Sequence, residues 1–366
     1  MNQALALDIL SKIMKWDMDR ARQEDDWLRL MSRIKYDGYQ DFLAGARFIE
    51  SLAYWLQQFD PSEREVAYRF VRNHLVYIGP AEMQHLVELM YPETVQPQLL
   101  LAVANRVNIP YYRVWAHENT AQAYNLLLRK SLFLGLSDGA RIDTFRRANA
   151  GTIGNEQIVL ATQIDKGKWD DLLKNLRRDL GDESARFSFI YLIDDFIGSG
   201  KTLLRNEGGG WKGKLLRFHE SAEKIIQTHF EPDYLICVHH YIATHKASQE
   251  VPGRYQEAIK DFGEQGIFPK VCFSFTTILP EDLPIAEERY GDFMKLVDKY
   301  YDPSIIDEHL NVGGTDVRLG FGSCALPVVL EHNTPNNSVT LLWAETDGND
   351  THHPMRPLFR RRHRHS

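Results

Sequence analysis

The chain has 366 residues, of which 43% are hydrophobic and 25% charged, and its formal net charge is −7. This composition is ordinary for a globular protein, and the length is enough for about two to three domains, each with its own core. The acidic balance excludes binding to nucleic acid through overall charge, so any such contact would need a local basic patch.

Nothing in the sequence predicts a membrane segment, because no apolar run approaches the ~20 residues of a spanning helix. Residues 1–20 carry acids within their apolar stretch and are not expected to form a signal peptide. The three cysteines, Cys237, Cys272 and Cys324, fit no zinc or redox spacing and are expected to be small buried residues. A cytoplasmic protein without membrane contact is therefore predicted.

The first part of the chain is predicted to be helical, because its apolar residues recur at helical spacing with charges between them. Asp60-Pro61-Ser62 provides a start signal for a helix over 63–78, and the pattern resumes over 81–90 after Gly79-Pro80. We interpret residues 1–110 as a helical N-terminal module.

After residue 110, β-rich runs alternate with helical segments. The runs cover residues 131–136, 156–164, 187–195, 234–242 and 270–279. This alternation predicts an α/β core over residues 111–300, with a mainly parallel sheet and helices on both faces, followed by a C-terminal segment over 301–366. In such sheets ligands bind beyond the carboxyl ends of the strands.

The strongest motif is YLIDDFIGSGKT at 191–202, an apolar strand that ends in two acids and a glycine-rich turn. A nucleotide-binding P-loop is excluded, because its first glycine would have to occupy the position of Asp195. The turn instead presents backbone N–H groups, and a following helix its positive end, to a single phosphate. The turn comprises Gly198, Ser199, Gly200, Lys201 and Thr202. Asp194 and Asp195 suit a vicinal diol, so the motif predicts a ribose 5-phosphate site.

Residues 194–202 resemble the phosphoribosyl-pyrophosphate (PRPP) motif of type I phosphoribosyltransferases at all nine positions. The resemblance implies that Asp194 and Asp195 hold the ribose hydroxyls and that 198–202 bind the 5-phosphate. It also implies PRPP as substrate and Mg²⁺ as cofactor, which the two acids would reach indirectly, through ribose hydroxyls or water.

A second turn follows the apolar run at 131–136 and comprises Ser137, Asp138, Gly139, Ala140 and Arg141. In the fold that the motif resembles, the equivalent turn holds the pyrophosphate. Gly139 would permit close backbone approach, Arg141 would supply positive charge, and Asp138 would tolerate pyrophosphate only by holding Mg²⁺ through water.

The two turns and the segments at 320–324, 328–337, 341–343 and 357–359 resemble the PRTase-CE family of phosphoribosyltransferase-like proteins. Members belong to bacterial conflict systems encoded beside antiphage components, which implies a role in defence and a C-terminal hood over 301–366. The polar segment 332–337 would either close over a base or pyrophosphate, or satisfy backbone groups of its own loop.

Three other features carry open interpretations. Residues 207–214 contain three consecutive glycines, Trp211 and two lysines, Lys212 and Lys214. They form either a flap that stacks on a base and meets phosphate, or a surface excursion. His239 and His240 are expected to be core histidines rather than metal ligands. Residues 356–366 hold five arginines, which either contact nucleic acid or an acidic partner, or are simply solvated.

The predicted reaction is displacement of pyrophosphate from C1 of PRPP, with Asp194, Asp195 and Arg141 as the catalytic residues. The alternatives are a non-catalytic nucleotide-sensing or scaffold subunit of a defence complex, and a nucleic-acid-binding effector. A nucleic-acid-binding effector would bind its ligand with an affinity that falls steeply as the salt concentration rises.

Overall fold

The structure is a computed structural model that describes residues 3–39, 47–263, 266, 268, 270–314 and 316–361. Tertiary contacts divide the chain into two compact units. Unit 1 combines Met1–Met83 with Glu281–Ser366, and unit 2 is the continuous segment Gln84–Pro280. The contacts thus group the chain differently from the segments 1–110, 111–300 and 301–366 expected from the sequence.

Helices account for most of the regular structure. The α-helices of the described residues are α1 Gln3–Met14, α2 Met18–Ile34, α3 Phe48–Gln57, α4 Arg64–His74, α5 Pro80–Met90, α6 Gln96–Val107, α7 Glu118–Arg129, α8 Ile142–Ala148, α9 Lys166–Leu180, α10 Lys214–His229, α11 His245–Phe262, α12 Glu287–Tyr300 and α13 Glu308–Asn311. The strands are β1 Val76–Ile78, β2 Ser131–Gly135, β3 Ile158–Val159, β4 Phe187–Ile197, β5 Arg205–Glu207, β6 Gly210–Lys212, β7 Phe230–Thr244, β8 Val271–Leu279 and β9 Val328–Leu330.

Unit 2 is built on a five-stranded sheet in the order β3-β2-β4-β7-β8, in which every pairing is parallel. On one face, Leu192 shares an apolar core with Trp169 of α9 and with residues of α10 and α11. On the other face, Gln98 of α6 places its Nε2 3.4 Å from Cys237 Sγ of β7. Both faces are therefore covered, which is why β4 and β7 are nearly continuous apolar runs. The predicted α/β fold is confirmed.

Unit 1 is mainly helical and is assembled from both ends of the chain. Phe70 of α4 stacks on Phe293 of α12 with ring centroids 3.6 Å apart. Trp55 of α3 donates its indole N–H to the Leu341 carbonyl at 2.7 Å. A two-stranded parallel sheet, β1 with β9, joins the two segments directly.

Two elements differ from their predicted form. The helix expected over 63–78 ends at His74, because residues 76–78 pair as β1 with a strand some 250 positions away. The strand expected over 156–164 is reduced to β3, Ile158–Val159, at the edge of the sheet. Tertiary pairing overrode the local pattern in the first case.

Candidate functional site

The two acids of the motif lie near the carboxyl end of β4, beyond the point where β2 ends. Gly135, the last residue of β2, pairs with Ile193, and the Leu136 amide donates to the Ile193 carbonyl at 2.7 Å. The chain that leaves β2 therefore passes alongside Asp194. This brings together the two turns that the sequence placed after separate strands.

The Asp194 carboxylate is enclosed by protein donors, and only 4% of its side chain is exposed. Its Oδ1 accepts from the Ser137 hydroxyl and, at 3.2 Å, from the Asp195 amide. Its Oδ2 lies 2.5 Å from Nζ of Lys214, the first residue of α10. Burial raises the pKa of Asp194 above its ordinary value, and the Lys214 ammonium opposes that shift. This acid therefore links the first turn to α10.

Asp195 has a different environment and is only half-buried. Its Oδ1 accepts from the Phe196 amide at 2.8 Å. A Cβ atom at Gly139 would lie 2.5 Å from Asp195 Oδ2, so only glycine allows the first turn to approach this carboxylate so closely. Gly139 therefore lies directly against an acid of the motif, and its approach to pyrophosphate stays a prediction.

The glycine-rich turn at 198–202 is supported from behind by α11. The Thr244 hydroxyl donates to the Gly198 carbonyl at 2.5 Å, and Arg254 Nη1 donates to the Ser199 carbonyl at 2.8 Å. Gly200 has φ +71°, and a Cβ there would lie 2.3 Å from Cγ2 of Val251. The turn therefore requires glycine both for its conformation and for space, and its first two carbonyl oxygens point toward α11.

The helix that follows the glycine-rich turn, α10, begins at Lys214, after the segment with the three glycines. Residues 205–212 intervene as an antiparallel hairpin, β5–β6, with Gly208 and Gly209 at its tip at φ +63° and +81°. Trp211 donates its indole N–H to Asp261 of α11 at 2.9 Å. The segment with the three glycines is thus a regular hairpin attached to α11.

The other predicted site residues all lie within the two turns. Asp138 is exposed, Ala140 is buried, and Arg141 is half-buried in the left-handed conformation at φ +49°. Lys201 and Thr202 are half-buried, and the Lys201 amide donates to the Ser199 hydroxyl at 3.4 Å. A positive φ at a long side chain such as Arg141 is uncommon and is often found at functional sites.

Two histidines lie on β7 beside the site. His239 is bonded through its ring nitrogens to Ser274 at 2.9 Å and Thr276 at 3.1 Å. His240 pairs in register with Asp194, and its buried Nδ1 has no hydrogen-bond partner among the described residues. Burial lowers the pKa of both histidines to about 3, so both are neutral at physiological pH. Both histidines are buried in unit 2, but within the part of the chain that the structure describes only His239 has partners for both ring nitrogens.

Two residues that contact the site, Thr244 and Arg254, could not be assigned to it from the sequence, and the contact of Lys214 with Asp194 was not foreseen. Thr244 and Arg254 support the glycine-rich turn, and Lys214 pairs with Asp194. Thr244 has a recognisable sequence pattern, because threonine is a common N-cap residue where a helix begins. It ends β7, and its hydroxyl caps α11 by accepting a hydrogen bond from the Ala247 amide at 2.9 Å. Lys214 was noted only as one of the two lysines of the segment 207–214, and its pairing with Asp194 depends on the hairpin that precedes it.

The polar C-terminal segment 332–337 belongs to unit 1. Thr334 donates to the Phe359 carbonyl at 3.2 Å, and Asn337 donates to the Phe321 carbonyl at 2.8 Å. These bonds favour the interpretation that the segment satisfies backbone groups of its own loops. In the basic tail, Arg360 pairs with Glu345 at 2.6 Å, and residues 362–366 lie outside the described residues.

Within the described part of the chain, no helix combines the length and apolar character needed to cross a membrane. A parallel sheet with an acid pair and a glycine-rich turn at its carboxyl edge defines a phosphoribosyltransferase-like α/β protein. The family model PRTase-CE matches residues 52–361, and the chain belongs to this family. No curated protein and no solved structure shows a significant match.

Proposed function

We propose that the protein binds PRPP, or a related ribose 5-phosphate nucleotide, at the carboxyl edge of the unit 2 sheet. The proposal depends on one observation, the contact of the first turn with the acid pair that precedes the second turn. Ser137 donates to Asp194, and Gly139 packs against Asp195. A ligand with a phosphate at one end, a diol in the middle and pyrophosphate at the other end needs these three groups side by side.

Each part of the site then has a role in binding. Asp195 accepts hydrogen bonds from the ribose hydroxyls, and the backbone N–H groups of 198–202 hold the 5-phosphate. The turn 137–141, with Arg141, receives the pyrophosphate.

The proposed reaction displaces pyrophosphate from C1 of the ribose. A bond forms between the nucleophile and C1 while the bond from C1 to the pyrophosphate oxygen breaks, and its electron pair leaves with pyrophosphate. The proton of the nucleophile passes to solvent. Holding both phosphate ends keeps the reacting atoms in line, and donors at the pyrophosphate stabilise the charge that develops there.

Mg²⁺ would reach this site with the ligand. Among the described residues, no group of three His, Cys, Asp or Glu side chains is arranged to hold a metal ion. Asp194 does not fit as a direct metal ligand, because its oxygens bind Lys214, Ser137 and a backbone amide. The acids would therefore act on the ion only indirectly, through hydroxyls or water.

The family supports a second part of the proposal, a role in bacterial antiphage defence together with partner proteins. A nucleotide sensor without turnover is the second candidate for the activity. It is favoured by the engagement of Asp194 with Lys214, which leaves Asp195 as the acid for the ligand.

Titration calorimetry with PRPP, ribose 5-phosphate and pyrophosphate tests the binding proposal. Asp195→Asn should weaken ribose 5-phosphate binding roughly tenfold or more, since a charge-assisted hydrogen bond is lost. Asp171→Asn, at an exposed acid of α9, is the matched control and should bind as wild type does. Absence of binding by the wild-type protein would contradict the proposal. Binding without pyrophosphate release, with bases, nucleotides or water as acceptors, would identify the sensor.

A further inference from the structure

Lys214 is fixed beside the glycine-rich turn by its own backbone. Its amide donates to the Thr202 carbonyl at 3.0 Å, and the next amide, of Leu215, donates to the Leu203 carbonyl at 3.1 Å. Gly213 precedes it at φ +137°, where a Cβ would lie 2.2 Å from the Leu203 carbonyl oxygen. The start of α10 is therefore packed directly against the end of the turn.

The side chain of Lys214 reaches from this position to the other turn. Its Nζ binds Asp194 Oδ2, while Oδ1 of the same carboxylate binds the Ser137 hydroxyl. The ammonium thus lies on the side of the site where 137–141 would hold pyrophosphate. The Lys214 side chain is 18% exposed, so the pair is reached by solvent mainly from the lysine.

An ammonium group has three N–H donors. Among the described residues, Asp194 is the one acceptor found for Lys214 Nζ, at 2.5 Å. The remaining donors can therefore bind an anionic oxygen without breaking the existing pair. A lysine held by a carboxylate also pays less conformational entropy when it binds a ligand, because its rotamer is already fixed.

We infer that Lys214 is a pyrophosphate-binding residue of this site and that Asp194 serves chiefly to position it. This inference rests on the proposed function and deepens it. The lysine supplies part of the charge neutralisation at the pyrophosphate, beside that expected from Arg141 and Mg²⁺. Recognition of the ribose diol then falls to Asp195. The site consequently prefers ligands that carry pyrophosphate at C1 over plain ribose 5-phosphate, even in the absence of a divalent ion.

The test is calorimetry of wild type, Lys214→Met and Lys214→Arg with PRPP, pyrophosphate and ribose 5-phosphate, in EDTA and again with Mg²⁺. In EDTA, Lys214→Met should weaken PRPP and pyrophosphate binding roughly tenfold or more and ribose 5-phosphate binding less than about threefold. Mg²⁺ should recover part of the loss, and Lys214→Arg should stay within about fivefold of wild type. Lys212→Met is the matched control, because Lys212 is exposed on the hairpin and pairs only loosely with Glu207, at 3.5 Å.

If Lys214 had a purely structural role, its substitution would change the stability of the protein and not its preference among ligands. If Lys214→Met does not fold, the double variant Asp194→Asn/Lys214→Met removes both charges and should fold with the same lost preference. Equal PRPP binding by wild type and by folded Lys214→Met in EDTA would overturn the inference alone. Failure of the wild-type protein to bind any of the three ligands would overturn the proposed function itself.

Discussion

The two turns of the site are held in opposite ways. The first, 137–141, is attached to the acids of the motif through Ser137 and Gly139. The second, 198–202, is attached to α11 through the carbonyls of Gly198 and Ser199. The first turn therefore depends on charged groups that a ligand would contact, whereas the second is set by the packing of the fold. Changes in the second turn should affect stability, and changes in the first should affect binding.

The largest effect is expected at the second turn. Gly200→Val would place a branched side chain at φ +71° and against Val251, which is buried. Left-handed strain and overpacking together should lower the free energy of unfolding by about 2–5 kcal/mol. Urea denaturation measures this loss.

The control for this variant is Gly208→Val at the hairpin tip. Gly208 has a similar φ of +63°, but a Cβ there would have no neighbour within 4 Å. Only the conformational cost remains, about 1–2 kcal/mol. Equal losses at the two glycines would show that α11 does not restrict the second turn.

Low pH should destabilise the folded protein, because two buried histidines, His239 and His240, lie on β7. The pKa of His239 and of His240 is about 3 in the folded chain, while an unfolded histidine titrates near ~6.5. Between these values the unfolded state binds more protons, so stability is present above about pH 6.5 and is lost as the pH falls. The loss approaches about 1.4 kcal/mol per pH unit for each histidine.

Burial raises the pKa of Asp194, so this acid acts in the opposite direction above its ordinary titration range. Burial also lowers the pKa of His74, His219 and His229, so five histidines act against one acid. Thermal melts at pH 7, 6 and 5 should therefore show falling stability, and His240→Gln should make the slope with pH smaller. An unchanged slope in that variant would mean that His240 is not protonated on unfolding.

At the first turn, binding should change more than stability. Gly139→Ala would push a methyl group against the Asp195 carboxylate, at 2.5 Å, in a backbone conformation that alanine can adopt. We expect affinity for PRPP to fall about tenfold, while unfolding changes by less than about 1 kcal/mol. Calorimetry and urea denaturation on the same protein separate the two. Gly291→Ala, in α12 with open space around it, should leave affinity unchanged.

The smallest effect is expected at the hairpin between the second turn and α10. Trp211→Phe keeps an aromatic ring but removes the hydrogen bond to Asp261. A partly exposed bond of this kind contributes about 0.5–1 kcal/mol. Asp261→Ala should cost a similar amount, and the double variant should cost less than the sum, as expected for two groups that share one interaction. Simple additivity would show that the hairpin is not held by this bond.

Most of the sheet could be predicted from the sequence, because buried parallel strands leave long apolar runs. The run at 187–193 and the two acids after it located both β4 and the edge of the sheet where the site lies. The pairing of β1 with β9 could not be predicted, since residues 76–78 continue a helical pattern and their partner is some 250 positions away. Strand pairing over such a separation leaves no local signal.

The two turns of the candidate site could be predicted from the sequence, but the contacts between their side chains could not. The acids, Gly139 and Gly200 could be identified by type and position. The different environments of Asp194 and Asp195 could not be predicted. Adjacent residues of a strand face opposite sides of the sheet and therefore contact different neighbours. Lys214 reaches Asp194 only because a hairpin folds the intervening chain away.

The discontinuity of unit 1 has a consequence for synthesis in the cell. Its first segment, Met1–Met83, packs against side chains and carbonyls that the ribosome adds much later, such as Leu341 and Phe359. At about 5–20 residues per second, those partners arrive roughly tens of seconds after α4 has been made. Until then Trp55 and Phe48, both buried in the finished fold, have no complete core to enter. The continuous unit 2 can fold before unit 1 is complete, and the helices of the first segment expose apolar side chains until their partners have been made.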